Sequence, residues 1–145
     1  MQHSAARVRL IRFVTRLHET LFRVSGGRVL GNAAGMPVVM LTTTGRKSGR
    51  KHTSMLTSPV KLGDGVVLVA SYGGSDHHPD WFLNLRANPV VDVVMRGYAG
   101  PMRARVATRE EKSALWPQVV AAYSDYAVYQ ERTTRDIPLV VLERA

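Results

Sequence analysis

The stretch VVMLTTTGRKSGRKHTSMLTSPV, residues 38–60, decides the fold of this chain. Residues 38–44 are rich in β-branched side chains and predict a strand that stops at Gly45. Residues 45–51 form a polar turn that carries four cations, and residues 52–60 predict a second strand. Two strands joined by a glycine-bracketed turn indicate the start of a β-sheet.

Short strands and turns continue along the chain. Residues 61–65 predict a hairpin turn, because glycine and aspartate supply the positive φ that such turns need. Four further strands are predicted, at residues 66–71, 90–95, 101–107 and 137–142. Pro79 opens a short helix through Ala87, and Thr108 with Glu111 forms a capping box that starts a helix running towards Tyr123. About six strands with few helices predict an α+β fold, a compact antiparallel barrel with peripheral helices.

The N-terminal part predicts one amphipathic helix over residues 5–24, ended by Gly26-Gly27. Its apolar face comprises Val8, Leu10, Ile11, Phe13, Val14, Leu17 and Leu21, and its opposite stripe comprises Arg9, Arg12, Arg16 and Arg23. Two interpretations remain open: a helix docked on the core with a solvated basic face, or a helix that lies on an anionic membrane or covers an anionic ligand. We therefore divide the chain into a helix at 1–30 and a barrel domain at 31–145.

Composition limits the classes of function. The 145 residues fit one core, and the absence of cysteine excludes disulfides and thiolate metal sites. No apolar run approaches the roughly 20 residues that a membrane span needs, and no secretory signal is evident, so we expect a cytoplasmic protein. The net charge of +9 indicates an anionic partner. Nucleic acid is not expected, because no recognisable reading element is present.

Common catalytic motifs are missing. The chain has no Walker loop, no G-x-G-x-x-G and no G-x-S-x-G, so nucleotide hydrolysis and serine hydrolysis are not expected. His77 and His78 lie between Asp76 and Asp80, but no H-x-x-x-H spacing occurs and adjacent histidines project differently. We predict no metal site.

Two turns carry the chemistry of a ligand site. In the turn 45–51, Arg46 and Lys47 supply charge and Ser48 supplies a hydroxyl donor, while the backbone N–H groups of a turn can also face an anion. In the turn 71–75, glycines allow a flat ligand to approach the backbone closely. If both turns lie at the same end of the barrel, they form one anion site.

Several motifs in register resemble the deazaflavin-dependent nitroreductase family. They are Leu41 to Gly49, Ser71-x-Gly73-Gly74, Pro79-x-Trp81-x-x-Asn84-Leu85-x-Ala87-Asn88-Pro89, Leu115-Trp116-Pro117, Tyr123-x-x-Tyr126-x-x-Tyr129-Gln130 and Ile137 to Val140. The resemblance covers residues 38–143 without large gaps. It implies a split β-barrel, as in FMN-binding proteins, and the coenzyme F-420, an 8-hydroxy-5-deazaflavin. It also implies actinobacterial-type hydride transfer to a quinone, a nitroaromatic or an activated enone.

The resemblance also implies roles for individual residues. The residues that would hold the coenzyme's phosphate and acidic tail are Arg46, Lys47 and Ser48. Those beside the ring would be His52, Met55, Leu56, Thr57, Val69, Ala70, Ser71 and Tyr72. The residues closing the site would be Asp80, Trp81, Phe82, Leu83 and Asn84. Tyr126 would contact the deazaflavin, and Tyr123 and Tyr129 would lie on the substrate side, the three tyrosines being the catalytic candidates.

Alternatives remain at the level of sequence. A barrel of this kind could be a non-catalytic binding protein for haem or a fatty acid, or an FMN-using relative. FMN lacks the long acidic tail of F-420, so the basic turn favours the deazaflavin. The family often has a proline and then an aromatic where Met55 and Thr57 stand, and often a lysine or small polar residue where Tyr72 stands. The acceptor is therefore open, as is the choice between monomer and dimer.

Overall fold

The structure is a computed structural model that describes residues 16–17, 19–25, 27 and 32–145. The strands in this part are β1 Asn32–Ala33, β2 Met36–Thr44, β3 Lys51–Thr57, β4 Val60–Leu62, β5 Gly65–Val69, β6 Val90–Met95, β7 Tyr98–Val106 and β8 Leu139–Arg144. The helices are α1 Asp80–Ala87, α2 Arg109–Ala122 and α3 Asp125–Glu131, with a 3₁₀ turn at Tyr72–Gly74. Residues 16–17 and 19–24 are helical as well.

The strands form one curled antiparallel sheet. Its order is β1-β2-β6-β7-β8-β5-β4, and β3 pairs with β2 outside this path. The turn 45–51 joins β2 to β3 in register, with Thr44 opposite Lys51 and Val38 opposite Thr57. In the described residues β3 pairs with β2 alone, so its second edge is free. The α+β fold predicted from the sequence is confirmed.

Strand β5 and residues 139–142 of β8 are buried on both faces of the sheet, whereas β6 and β7 each have one exposed face. Successive side chains of a strand point to opposite faces. On β5, Val66 and Leu68 pack inside the curl with Phe82 and Leu85 of α1. The alternate residues of β5 and β8 pack outside the curl, against helices α2 and α3. This two-sided burial explains why β5 has no exposed residue and reads as a continuous apolar run.

Some boundaries differ from the prediction. The predicted strand 52–60 is two strands, because the chain breaks at Ser58, whose hydroxyl donates to the carbonyls of Val60 and Val67. The hairpin between β6 and β7 is tighter than predicted, and its turn has only Arg96 and Gly97. Helix α2 begins with the predicted capping box and continues past Pro117.

The N-terminal helix is docked by a residue that the periodicity did not select. Phe22 is fully buried against Val38 and Met40, whereas Leu17 and Leu21 of the predicted apolar face are 50% and 44% exposed. The helix ends near the predicted glycines, since the Gly27 N–H donates to the Phe22 carbonyl. Residues 5–15, His18 and Gly26 of this prediction lie outside the described residues.

Candidate active site

A cavity of about 360 Å³ lies along the free edge of β3. Strands β3 and β5 supply half of its lining residues and are not hydrogen-bonded to each other in the pairings of the described strands. Its lining residues are Asn32, Ala33, Val38, Met55, Leu56, Thr57, Leu68, Val69, Ser71 and Tyr126. Most of these side chains are apolar, so the cavity suits a flat, largely apolar ring.

Tyr126 is the polar group on the wall contributed by α3. The residue is only 6% exposed, and its hydroxyl lies 3.5 Å from the Thr57 hydroxyl and 4.0 Å from the Met36 sulfur. Burial raises the pKa of Tyr126. The hydroxyl therefore stays protonated at neutral pH and can donate a hydrogen bond into the cavity.

Tyr123 and Tyr129 pack around Tyr126 and do not line either of the two cavities described in this subsection. Their ring centroids lie 5.2 and 6.2 Å from that of Tyr126, in edge-on arrangements. The hydroxyl of Tyr129, and then Asp125, raise the pKa of Tyr123. Of the three predicted catalytic tyrosines, the structure brings Tyr126 alone to the cavity wall.

A second cavity, of about 290 Å³, is formed by the turn 45–51 and helix α1. The turn is closed by two backbone hydrogen bonds, from Gly45 N–H to the Arg50 carbonyl at 2.7 Å and from Gly49 N–H to the Gly45 carbonyl at 2.9 Å. The lining residues are Thr43, Gly45, Arg46, Lys47, Ser48, His52, Ser54, Asp80, Trp81 and Asn84.

Asn84 fixes the position of Arg46. The Asn84 side-chain oxygen accepts from Arg46 Nη1 at 2.8 Å and from the Arg46 N–H at 3.2 Å. The Asn84 amide nitrogen donates to the Thr43 hydroxyl at 3.3 Å, and Arg46 Nη2 donates to Asp80 at 3.3 Å. Because Asn84 is buried, these bonds hold the guanidinium at the cavity wall rather than in solvent.

Gly45 makes room for two polar groups beside the guanidinium. A Cβ at this position would lie 2.7 Å from Ser48 Oγ and 2.9 Å from His52 Nε2. Glycine therefore lets the hydroxyl and the imidazole converge close to the turn backbone. Together with Arg46 and Lys47 they form a donor set suited to phosphate or carboxylate oxygens.

The two cavities share strand β3: His52 and Ser54 line the second cavity, and Met55, Leu56 and Thr57 line the first. At about 3.3 Å per residue, His52 and Thr57 are about 17 Å apart along the strand. The turn 71–75 and the basic turn consequently line different cavities, and they do not form the single anion site considered from the sequence.

Of the remaining predicted site residues, some line the second cavity and others do not reach either cavity. Asp80, Trp81 and Asn84 line the second cavity, whereas Phe82 and Leu83 pack into the core on the other faces of α1. Ala70 is fully buried in that core, and Tyr72 is 62% exposed. Lining residues that the sequence did not select are Asn32, Ala33, Val38, Thr43, Ser54 and Leu68. Alternation along β3 could have indicated Ser54, because it shares a face with His52.

The described residues contain no cluster of histidine, cysteine, aspartate or glutamate that could hold a metal ion. In the same part of the chain, no helix is long and apolar enough to cross a membrane.

An elongated, two-part site on a curled antiparallel sheet, cationic at one end and apolar at the other, is typical of split-barrel flavin and deazaflavin oxidoreductases. A family model described as F420H(2)-dependent quinone reductase matches residues 14–144. The chain belongs to this family.

Individual relatives agree with this assignment. An F420H(2)-dependent quinone reductase of Mycobacterium tuberculosis is 36% identical over 137 residues, which cover 89% of each chain. The solved structure of an F420-H2 dependent reductase (FDR-A) is 41% identical, covers 74% of this chain and 94% of its own, and has a TM-score of 0.66. A solved domain-swapped dimer is 34% identical, covers 90% of this chain and 98% of its own, and has a TM-score of 0.67.

The expectations drawn from the resemblance to deazaflavin enzymes are confirmed for fold, activity and coenzyme. The protein has the split-barrel fold and is an oxidoreductase, its cofactor is F-420, and its other partner is a small-molecule acceptor. The residues present fit this coenzyme, because the anion cradle beside Gly45, formed by Arg46, Ser48 and His52, gathers a cation, a hydroxyl and an imidazole that suit anionic groups. The FMN-using and non-catalytic alternatives are not supported by this family.

Proposed function

We propose that the chain reduces a quinone-type acceptor, with the phosphate and acidic tail of F-420 in the second cavity and the deazaflavin ring in the first. The observation that carries this proposal is the shared strand β3, which runs from a cationic cavity to an apolar one. A ligand with an anionic tail and a flat ring matches that order along the strand.

The cationic end would hold the coenzyme's anionic groups. Arg46, oriented by Asn84, has a planar fork that suits phosphate oxygens, and Lys47 adds a second charge. Ser48 and His52 add a hydroxyl and an imidazole nitrogen at the same wall. Their close approach is possible because Gly45 lacks a side chain.

The apolar end would hold the reacting partners. When bound, the reduced coenzyme supplies a hydride at C5 of its ring. Met55, Leu56 and Val69 exclude water and keep donor and acceptor face to face, which lowers the entropic part of the barrier. The neutral Tyr126 hydroxyl donates a hydrogen bond to the acceptor's oxygen as negative charge develops there.

Tyr123 and Tyr129 would act through Tyr126, whose ring they contact edge-on. The walls of the first cavity favour a quinone over a smaller, more polar nitro compound, because they offer a large apolar surface and few hydrogen-bonding groups.

Titration with F-420 and FMN side by side tests the proposal. We expect F-420 to bind at least about tenfold more tightly, because FMN lacks the acidic tail that the cationic cavity would contact. Turnover is then followed by the loss of reduced deazaflavin with menadione and with nitrobenzene as acceptors. Equal affinity for the two coenzymes, or faster turnover with nitrobenzene than with menadione, would contradict the assignment.

A second proposal concerns residues 1–30, to which we assign a role distinct from that of the barrel at 31–145, although Phe22 anchors them to it. Leu17, Leu21 and Val24 are exposed beside the exposed arginines Arg16 and Arg23. Apolar burial together with about 1 kcal/mol per basic residue near an anionic surface would give reversible attachment. The protein would then be cytoplasmic and peripheral to the inner membrane face, where a lipophilic quinone is available.

Vesicle co-sedimentation tests this attachment. Full-length protein should bind anionic vesicles at low salt, and a chain starting at Gly31 should not. The double substitution Leu17→Ser with Leu21→Ser should also weaken binding, because it removes exposed apolar side chains while Phe22 stays in the core. Equal binding by all three proteins, or binding by none, would refute the membrane role.

Light scattering on the purified protein without vesicles distinguishes monomer from dimer. The relative solved as a domain-swapped dimer favours the dimer.

A further inference from the structure

Arg135 lies in the connection between α3 and β8, and its guanidinium reaches back to the segment 70–78. Its Nε donates to the Ser75 carbonyl at 2.7 Å, and Nη2 donates to the Ser71 carbonyl at 2.8 Å. Its Nη1 donates to the Ala70 carbonyl at 3.2 Å and lies 3.2 Å from His78 Nδ1. The Arg135 side chain thus binds three carbonyls that lie 60 to 65 residues earlier in the chain.

His78 is suited to be the fourth acceptor. Burial, followed by the positive charges of Arg135 and Arg86, lowers the pKa of His78. The imidazole is therefore neutral at pH 7, and its Nδ1 can accept from the guanidinium.

Neighbouring contacts join the same two segments. Arg132 Nη1 donates to the Gly73 carbonyl at 3.2 Å, and the Thr133 hydroxyl donates to Asp76 at 2.8 Å. Gly74 packs so closely that a Cβ would lie 2.7 Å from the Tyr129 carbonyl oxygen. Arg132 and Asp76 are exposed, whereas Arg135 is half-buried and binds three carbonyls of the earlier segment.

Each of the two joined segments contributes a residue to the wall of the first cavity. Ser71 belongs to the clamped loop, and Tyr126 belongs to α3, just before the connection that holds Arg135. The relative position of Ser71 and Tyr126 therefore depends on how the loop is attached to that connection. A planar guanidinium with five donors can bind several carbonyls at fixed angles, which an ammonium on a flexible stem cannot do.

We propose that Arg135 is a positioning residue for the coenzyme ring: by binding the carbonyls of Ala70, Ser71 and Ser75, it fixes the backbone of Ser71 in the wall of the cavity that Tyr126 also lines. The identity of the ring as a deazaflavin rests on the proposed function. The clamp itself belongs to the free protein and acts before any ligand binds.

Hydrogen–deuterium exchange of the ligand-free protein tests the clamp directly. In Arg135→Gln, we expect the amides of residues 71–76 to exchange at least about tenfold faster, with no change in β6 and β7. Arg103→Gln, which changes an exposed arginine on β7, is the matched control and should leave the loop unchanged. Arg135→Lys should give an intermediate rate.

Binding separates a positioning role from general destabilisation. Arg135→Gln should weaken F-420 and the tail-free deazaflavin riboside by the same factor, about tenfold, because both contain the ring. Lys47→Glu should weaken F-420 alone. Millimolar guanidinium should restore part of the ring affinity to Arg135→Ala, which a simple loss of stability would not allow.

Different results would contradict the role of Arg135 and the proposed function. Unchanged exchange at residues 71–76, or faster exchange with unchanged ring affinity, overturns the role of Arg135. If the wild-type protein binds neither F-420 nor the riboside, the proposed function fails, and the exchange experiment still decides the clamp. If Arg135→Gln does not fold, Arg135→Lys is measured in its place, and wild-type exchange and affinity in that variant overturn the inference.

Discussion

The substitution Gly45→Ala isolates the anion cradle from the rest of the basic turn. Gly45 is not among the glycines with positive φ, so its backbone conformation tolerates a side chain. The new Cβ would lie 2.7 Å from Ser48 Oγ and 2.9 Å from His52 Nε2, where ordinary contacts begin near 3.4 Å. The hydroxyl must therefore retreat by about 0.7 Å and the imidazole by about 0.5 Å.

A displacement of this size removes a hydrogen bond to a fixed anion without changing any charge. Loss of one charge-assisted hydrogen bond costs about 1.5–3 kcal/mol, which corresponds to roughly tenfold to a hundredfold in Kd. Because the obstructing atoms belong to side chains, the fold should survive with little change in Tm.

Fluorescence titration of F-420 measures the effect, with Gly100→Ala as the control. Gly100 lies on β7, outside the residues that line either cavity, and its Cβ would meet only the Tyr98 side chain, at 3.2 Å. We expect weaker F-420 binding in Gly45→Ala and wild-type binding in Gly100→Ala. A folded Gly45→Ala protein with wild-type affinity at low and high salt would refute the cradle.

Three further predictions address other parts of the molecule. Lys47→Glu should weaken F-420 at least about tenfold at low salt, and the deficit should shrink as salt screens the charges; a deficit independent of salt would argue against a contact with the acidic tail. Tyr126→Phe should lower kcat at least about tenfold and change the Kd of F-420 less than about twofold, whereas wild-type kcat with several acceptors would show that the ring acts by packing alone. Glu111, which binds the Arg105 guanidinium through both oxygens and caps α2, has its pKa lowered to about 2 from 4.5, mainly by Arg105. Its contribution to stability is therefore complete above about pH 4.5 and lost as the pH falls through 2. Both groups are partly exposed, so Glu111→Gln should cost only about 1–2 kcal/mol at pH 7, and chemical denaturation should show the difference vanishing near pH 2.

Sequence reasoning succeeded where the signal is local. The β-branched run at 38–44, the capping box at Thr108 and the glycine-bracketed basic turn each depend on residues a few positions apart. These features predicted strand β2, the start of α2 and the placement of Arg46 and Lys47 on one turn. Sequence reasoning failed at Ser58, where the strand ends although the apolar pattern continues: the buried Ser58 hydroxyl donates to the carbonyls of Val60, two residues away, and of Val67 on the neighbouring strand β5.

The sequence by itself determined the α+β class, the order of most strands and helices, and the coenzyme type through motifs in register. The tertiary structure alone decided that the two turns line separate cavities, that Asn84 orients Arg46, and that Arg135 holds the loop at Ser71. Each of these contacts joins segments far apart in the chain: 38 residues separate Asn84 from Arg46, and 64 separate Arg135 from Ser71. Neither propensity nor periodicity carries that information, because such contacts exist only after the sheet has curled and brought its ends together.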